Sequence, residues 1–377
     1  MFRRNTTFVI GAGASTEFGL PAGKGLAERI KKSALFRYGS FRQEQQVGDQ
    51  FFAGRLIAHF PNAADRASYA KALHAIREGI FTAVSIDAFI HRNRGNSHIE
   101  DMGKALIALE IAKAERESKM FMSEIEKHEG LDRSDLDQTW IGSFLRILLD
   151  GVEDPREVGK DVTIICFNYD RCIEFYLREA LIKAFRISRA EAQDIVYSVN
   201  IIHPYGTLGK LPEALSGYGP GLLPFGPELD NEFDLFEVAK NIRTYTERME
   251  DDAVIEKIHN AIQMCSQLIF LGFGFNNQNL DLLRIKTLVN NVSQRPIFTT
   301  AWDTPEEMNP TIRRRVLDLY TGKHDLWQKP FRIGNNMGCK QLFDVYGMEF
   351  ASFTQRVIHS STTGLHGEDR LVDIGTD

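Results

Sequence analysis

The sequence lacks several features that define common protein classes. Its four cysteines include no Cys-x-x-Cys pair and have no histidine at ligand spacing, which excludes a zinc ribbon and a disulfide framework. It has no run of about 18 apolar residues, the length that spans a membrane. The polar start before the first apolar run is too brief for a signal peptide. We therefore expect a cytoplasmic protein with no metal and no membrane contact.

Positive charge is also scarce. The 45 lysines and arginines are outnumbered by 51 acidic residues, and the formal net charge of −6 gives no field that would hold a phosphate backbone. We therefore expect no direct nucleic-acid binding. What is present is ordinary globular composition, with 43% hydrophobic and 25% charged residues. A chain of 377 residues is long enough for a large α/β domain with helical insertions.

Short β-branched and apolar runs alternate with helical patterns, which predicts an α/β fold with a Rossmann-like, mainly parallel sheet. About five strands are predicted, at residues 6–10, 162–167, 195–202, 268–273 and 297–301. Helices are predicted between them, at residues 21–35, 170–185, 254–265 and 279–289. Residues 206–230 are rich in glycine and proline and predict a long loop of the kind that forms lids.

The same patterns divide the chain into three parts. Residues 1–38 and 151–305 form the predicted Rossmann-like NAD-binding domain. Residues 39–150 read as a helical insertion, with helical periodicity at 69–83, 102–127 and 139–149. Residues 306–377 form a C-terminal extension with a helix near 310–320 and a polar tail that we expect to be disordered at its end.

Ligands of open α/β sheets lie outside the carboxyl ends of the strands, so the residues that follow each predicted strand are the candidates for a site. Gly11 and Gly13 follow the first strand, where missing side chains let a phosphate approach the backbone. A turn that needs glycine for its backbone angles alone is the alternative. Asn168 and Asp170 follow the second strand, and a helix N-cap is the alternative there.

The third and fourth strands are followed by further polar residues. His203 and Tyr205 stand two apart and are expected to point to one side, where His203 is a candidate general base. A structural histidine is the alternative. Gly272, Gly274 and Asn276 combine a flexible backbone with an amide that can bind ribose or adenine, and a turn that caps the next helix is the alternative. Because all four segments fall on one predicted sheet edge, together they predict a nucleotide site.

Together the four segments resemble the sirtuin family, and more closely its bacterial members that hydrolyse NAD in antiphage defence. The resemblance rests on the Gly-Ala-Gly-x-Ser turn of Gly11, Ala12, Gly13 and Ser15, on Asn168-Tyr169-Asp170, on residues 85–89 and on residues 272–275. It covers roughly residues 5–300. The family's catalytic histidine directly precedes a glycine, whereas here Tyr205 precedes Gly206 and His203 lies two residues earlier.

The resemblance implies a function and a set of roles. Asn168, supported by Asp170, orients the nicotinamide ribose or the attacking water. The position of the family's base falls to His203 or Tyr205: because the two are expected to share a face, His203 can act as base after a small shift or through one water, and Tyr205 can donate a hydrogen bond to the ribose. The glycine turns hold NAD as a substrate, through Gly11, Ala12, Gly13, Ser15, Gly272, Gly274 and Asn276. The expected reaction is NAD glycohydrolysis to nicotinamide and ADP-ribose. The cysteine spacing cannot supply the zinc module of sirtuin deacylases, so deacylation is not expected.

The resemblance also implies a role in abortive infection, as a homo-oligomer that acts with a HerA-type ATPase or, alternatively, with an Argonaute-like protein. A second hypothesis is a regulatory subunit that binds NAD or ADP-ribose without turnover. An ordinary dehydrogenase is disfavoured, because Lys31 and Lys32 occupy the place about 20 positions after Gly13 where an acidic ribose ligand would stand.

Overall fold

The computed structural model describes residues 1–37, 46–122, 135–214, 217–285, 295–320 and 330–352. Its centre is a six-stranded, all-parallel sheet with the strand order β5-β4-β1-β6-β7-β8. The strands are β1 (Thr6–Ile10), β4 (Val162–Cys166), β5 (Asn200–Ile202), β6 (Gln267–Leu271), β7 (Ile297–Ala301) and β8 (Phe331–Asn335). The Rossmann-like α/β fold predicted from the sequence is therefore confirmed.

Central strands of this sheet are apolar or β-branched throughout, because helices cover both faces. In β1, Phe8 packs into one buried cluster and Val9 into the other, as the alternation of a strand requires. Three of the helices that cover the two faces are α2 (Gly23–Ser33), α8 (Cys172–Phe185) and α12 (Asp252–Met264).

Apart from shifts of one or two residues at the ends of β4 and β6, the predicted strands differ from the structure in two places. The first half of the predicted third strand, residues 195–198, belongs to the helix α9 (Arg189–Ser198), and β5 covers only Asn200–Ile202. Its apolar residues fit a helix with one buried side as well as they fit a strand, so periodicity alone did not separate the two. The sixth strand, β8, was not predicted and lies in the part of the chain assigned to the C-terminal extension.

The segment between α2 and β4 is largely helical. After a small hairpin of β2 (Phe36–Arg37) and β3 (Gln46–Val47), its helices are α3 (Gln50–His59), α4 (Ala63–Gly79), α5 (Ile86–Arg92), α6 (Ser97–Glu117) and α7 (Trp140–Leu149). The end of the predicted helix 102–127 falls outside the described residues. α6 is buried on nearly all sides and packs against α2 and α4. These helices therefore share the core of the sheet.

Six further helices lie elsewhere in the described residues. They are α1 (Ala12–Ser15), α10 (Leu235–Ala239), α11 (Tyr245–Met249), α13 (Asn277–Leu283), α14 (Asn309–Leu317) and α15 (Cys339–Phe350). The disorder predicted for the end of the tail, and the end of the predicted helix 279–289, fall outside the described residues. In the part of the chain that is described, no helix is both long enough and apolar enough to cross a bilayer.

The long loop after β5 is tied down by buried arginines. Arg171 Nη1 donates to the carbonyl of Leu223 at 2.6 Å, and its Nη2 donates to the carbonyl of Pro224 at 2.9 Å. Arg178 Nη1 donates to the carbonyl of Pro212 at 2.8 Å. Both guanidinium groups also pair with buried glutamates. The described loop residues Pro212, Leu223 and Pro224 are thus bonded to the body of the fold, which does not support the interpretation of residues 206–230 as a lid.

Candidate functional site

A cavity of about 630 Å³ lies at the carboxyl edge of the sheet. A volume in the range of roughly 300–1,000 Å³ is typical of small-molecule sites. Ten of the eleven residues that the sequence assigned to the site line it, and they come from the ends of β1, β4, β5 and β6: Gly11, Ala12, Gly13, Ser15, Asn168, Asp170, Tyr205, Gly272, Gly274 and Asn276. His203 is the exception.

The first turn uses its glycines to let two backbone segments meet. A Cβ on Gly11 would lie 2.6 Å from the carbonyl oxygen of Gly272, and a Cβ on Gly13 would lie 2.8 Å from the same atom. Gly13 N–H donates to that oxygen at 3.0 Å, and Gly11 N–H donates to Leu271 at 2.9 Å. Gly11 has an extended φ of −116°, so the close approach, not a left-handed backbone, requires glycine.

Asn168 is held by a buried relay of hydrogen bonds. The Ser15 hydroxyl donates to Oδ2 of Asp170 at 2.9 Å, and Oδ1 of Asp170 accepts from the N–H of Cys172 at 3.2 Å. Because the single hydroxyl proton of Ser15 goes to Asp170, the Ser15 oxygen accepts from Nδ2 of Asn168, at 2.8 Å. Burial raises the pKa of Asp170, and the Ser15 hydroxyl opposes that rise.

The relay leaves one polar atom of Asn168 without a partner among the described residues. Oδ1 of Asn168 is buried and accepts no hydrogen bond from the described part of the chain, although the residue lines the cavity. An unmet buried acceptor costs about 1–3 kcal/mol. A donor on a ligand or a bound water would remove that cost. The bond from Nδ2 to Ser15 gives the amide of this cavity-lining residue a defined orientation.

His203 does not reach the cavity, so the expectation that it shares a side with Tyr205 is wrong. Its Nδ1 lies 3.1 Å from the backbone oxygen of Asn168, and its Nε2 lies 2.6 Å from Oε1 of Glu174. Burial lowers the pKa of His203, but the Glu174 carboxylate outweighs burial and holds that pKa well above its ordinary value. Strand alternation ends with β5 at Ile202, before either residue. A protonated ring that donates from both nitrogens cannot accept a proton, which argues against His203 as the base.

Tyr205, unlike His203, lines the cavity. Its ring packs against Phe167, and its hydroxyl donates to Oδ1 of Asn279 at 2.9 Å. Burial holds the pKa of Tyr205 far above its ordinary value. The phenol therefore stays protonated at neutral pH and serves as a hydrogen-bond donor.

Asp87 lines the cavity, although the sequence analysis assigned it no role. It lies in the first turn of α5, it is half-buried, and Tyr169 donates its hydroxyl proton to Oδ1 of Asp87. Burial raises the pKa of Asp87 to about 6, against the opposing effect of the Tyr169 hydroxyl. In the sequence analysis, residues 85–89 are only a short motif that contributes to the resemblance. The bond that places its carboxylate joins residues 82 positions apart, which no local pattern reveals.

The other half of the cavity lies beyond β6 and β7. Gly272, with a left-handed φ of 57°, donates its N–H to the hydroxyl of Thr300 at 2.8 Å. Arg315 lines this half, and its Nη1 donates to the carbonyl of Phe275 at 2.7 Å. Trp302 follows β7 directly and is 67% exposed at the cavity. The rule that finds residues after strand ends also identifies Trp302, whereas Arg315, on the helix α14, carries no such signal.

The described residues include no group of three or more histidine, cysteine, aspartate or glutamate side chains that could hold a metal ion. All four cysteines are buried and free. Comparisons with protein-family models, with curated proteins and with solved structures found no match to this chain. The likeness to the sirtuin family, and the function that it implies, therefore stay predictions.

Proposed function

We propose that this chain binds NAD in the cavity and cleaves the bond between nicotinamide and ribose, giving nicotinamide and ADP-ribose. The observation that carries the proposal is the buried Oδ1 of Asn168, which has no hydrogen-bond partner among the described residues. It belongs to a cavity-lining residue whose amide nitrogen is held by Ser15, and Ser15 in turn is held by Asp170. An amide oxygen in that state suits a ribose hydroxyl or a water molecule as its hydrogen-bond donor.

The sheet topology suggests how the dinucleotide lies. β4 and β5 are on one side of β1, and β6 and β7 are on the other, so the cavity spans the two sides where the strand order reverses. In our proposal the nicotinamide riboside lies on the side of Asn168. The adenosine lies on the side of Trp302, and Arg315 supplies positive charge to the diphosphate between them.

The chemistry needs little from the protein. Nicotinamide leaves NAD as a neutral molecule, so its departure requires no proton, and the ribose develops positive charge as the bond breaks. In this account the Asn168 oxygen and nearby carboxylates stabilise that charge, and the Asn168 oxygen orients the one water that attacks. Enclosure of the site limits competing water.

A regulatory subunit that binds NAD or ADP-ribose without turnover is the second candidate. It is favoured by the absence of any imidazole among the described cavity residues, since His203 is engaged elsewhere. Two measurements together separate the candidates. Nicotinamide release is followed by chromatography while purified protein is incubated with NAD, and ADP-ribose binding is measured by calorimetry. Release supports the hydrolase; binding without release supports the sensor.

The biological setting is proposed from the resemblance alone. We propose an effector of antiphage defence that acts in the cytoplasm as a homo-oligomer, with a HerA-type ATPase as partner and an Argonaute-like protein as the alternative. Low activity in the isolated chain is expected, because unregulated NAD loss would kill the cell. The nicotinamide assay is therefore run with and without the co-expressed neighbouring gene product, and size-exclusion chromatography with light scattering reports the assembly.

A further inference from the structure

The proposed hydrolysis needs a group that takes a proton from the attacking water. The described titratable side chains that line the cavity are Asp87, Tyr169, Asp170, Tyr205 and Arg315. Arg315 is a permanent cation, and both phenols keep their protons because burial raises their pKa values. Two carboxyl groups are left.

Those two carboxyl groups have different surroundings. Asp170 is committed on both oxygens, to the Ser15 hydroxyl and to the N–H of Cys172. The Asp87 residue is half-buried at the cavity, and its Oδ1 accepts from the Tyr169 hydroxyl. Tyr169 directly follows Asn168 in the chain, so this bond ties the start of α5 to the turn that carries the Asn168 amide. Asp87 is thus the carboxylate held beside the proposed reaction centre.

We propose that Asp87 is the proton acceptor of this reaction, a role that rests on the proposed NAD hydrolysis. The bond from ribose C1′ to the nicotinamide nitrogen breaks, and its electron pair stays on nicotinamide. The water oxygen forms a new bond to C1′, and one proton of that water moves to the Asp87 carboxylate. Release of that proton to solvent returns the carboxylate, so NAD and water give ADP-ribose, nicotinamide and one proton.

Two phenols interact with the Asp87 carboxyl group. Among the described titratable groups, these are Tyr169, whose hydroxyl lowers the pKa of Asp87, and Tyr205. On the neighbouring helices, Lys104 of α6 pairs with Glu247 of α11 at 2.8 Å, and His91 of α5 bonds to Thr246. Burial raises the pKa of Asp87 to about 6, which leaves it mainly ionised at neutral pH yet more basic than an ordinary aspartate.

Asp87→Asn tests the role directly. We expect nicotinamide release to fall by about 10²–10⁴-fold, the usual contribution of a general base, while ADP-ribose still binds. Asp87→Glu should recover part of the loss. Asp101→Asn is the matched control, because Asp101 also lies in the helical segment and accepts from a tyrosine hydroxyl, that of Tyr69, but does not line the cavity.

The pH profile separates a base from a merely structural carboxylate. Release by the wild-type protein should fall below a pH of about 6, the pKa of Asp87. The Tyr169 hydroxyl lowers that pKa, so Tyr169→Phe should raise it and move the acid limb to higher pH, whereas Tyr69→Phe should not.

The results of these experiments distinguish failure of the hydrolase proposal from failure of the Asp87 proposal. Wild-type protein that releases no nicotinamide, alone or with its partner, overturns the hydrolase and the role of Asp87 with it. Release by Asp87→Asn at the wild-type rate overturns the role of Asp87 alone. If Asp87→Asn fails to fold, Tyr169→Phe decides: an unmoved acid limb overturns the role of Asp87.

Discussion

The hydroxyl of Ser15 donates a hydrogen bond of 2.9 Å to Oδ2 of Asp170, a residue 155 positions later in the chain. This bond joins the turn after β1 to the turn after β4. It also decides which atom of the Asn168 amide bonds to Ser15, because a serine oxygen whose proton goes to Asp170 accepts from the amide nitrogen, and the amide oxygen has no partner among the described residues.

Ser15→Ala should break this relay. We expect it to lower the free energy of unfolding by about 1–3 kcal/mol, since Asp170 and the Asn168 amide each lose a buried partner. Nicotinamide release should fall as well, because Asn168 is no longer fixed. Ser198→Ala is the control, since that hydroxyl donates to Ile195 at 2.7 Å away from the cavity. Equal free energies of unfolding and equal rates of nicotinamide release for the two variants would count against the relay. Urea denaturation and the nicotinamide assay give both values.

Gly13→Ala should destabilise the fold even without a ligand. Its Cβ would lie 2.8 Å from the Gly272 oxygen, a backbone atom that cannot move aside, and overpacking of this kind costs roughly 1–3 kcal/mol. Gly54→Ala, in the exposed interior of α3, meets no atom within 4 Å and should stabilise by about 0.5–1 kcal/mol. Urea denaturation measures the change in the free energy of unfolding for each variant, and we expect the two changes to have opposite signs. A neutral Gly13→Ala would disprove the close approach.

The His203–Glu174 pair should make stability depend on pH. The pKa of His203 is raised in the folded state, so its contribution is complete below the ordinary value of 6.5 and is lost as the pH rises through the raised pKa. The pKa of Glu174 is lowered, so its contribution is lost as the pH falls from 4.5. We expect the unfolding free energy to decline from pH 6.5 upward, and the double variant His203→Gln, Glu174→Gln to flatten that slope. An identical pH dependence of the unfolding free energy in the wild type and the double variant would contradict a stabilising His203–Glu174 pair.

Glu115→Gln should show how the helical segment supports the Asp170 turn. Glu115, on α6, is fully buried and accepts from Nε of Arg171 at 3.0 Å and from the backbone N–H of Arg171 at 3.0 Å. Removing one partner of a buried ion pair costs roughly 3–5 kcal/mol, which urea denaturation measures. Glu237→Gln, which breaks the exposed pair with Lys240, is the control and should change little. Equal effects would mean that the buried pair does not hold the turn.

The sequence was sufficient to predict the central strands, because buried parallel strands are short runs of apolar and β-branched residues. β7 has the predicted bounds, and β1 does too. β8 was missed because FRIGN is only partly apolar and joins the edge of the sheet through pairing with β7, which no local pattern predicts. The bounds of β5 were wrong because residues 195–202 have no turn signal between helix and strand.

For the site, the sequence predicted which strand ends meet but not where side chains point. Asn168, Asp170 and Ser15 came together because parallel strands place their carboxyl ends on one edge. The direction of His203 depended on a part-buried partner in α8, Glu174, whose position is a property of the packed fold. The same applies to Asp87, which enters the cavity from the helical segment and not from the sheet.

The most direct test of the central claim is the rate of nicotinamide release from NAD by Asn168→Ala. Asn200→Ala, which removes an exposed amide bonded to Thr163, serves as control. We predict that Asn168→Ala loses about 10²-fold or more in rate while it still binds ADP-ribose, as expected for loss of a group that stabilises developing charge, and that Asn200→Ala keeps the wild-type rate. Nicotinamide release by Asn168→Ala at the wild-type rate would contradict the account.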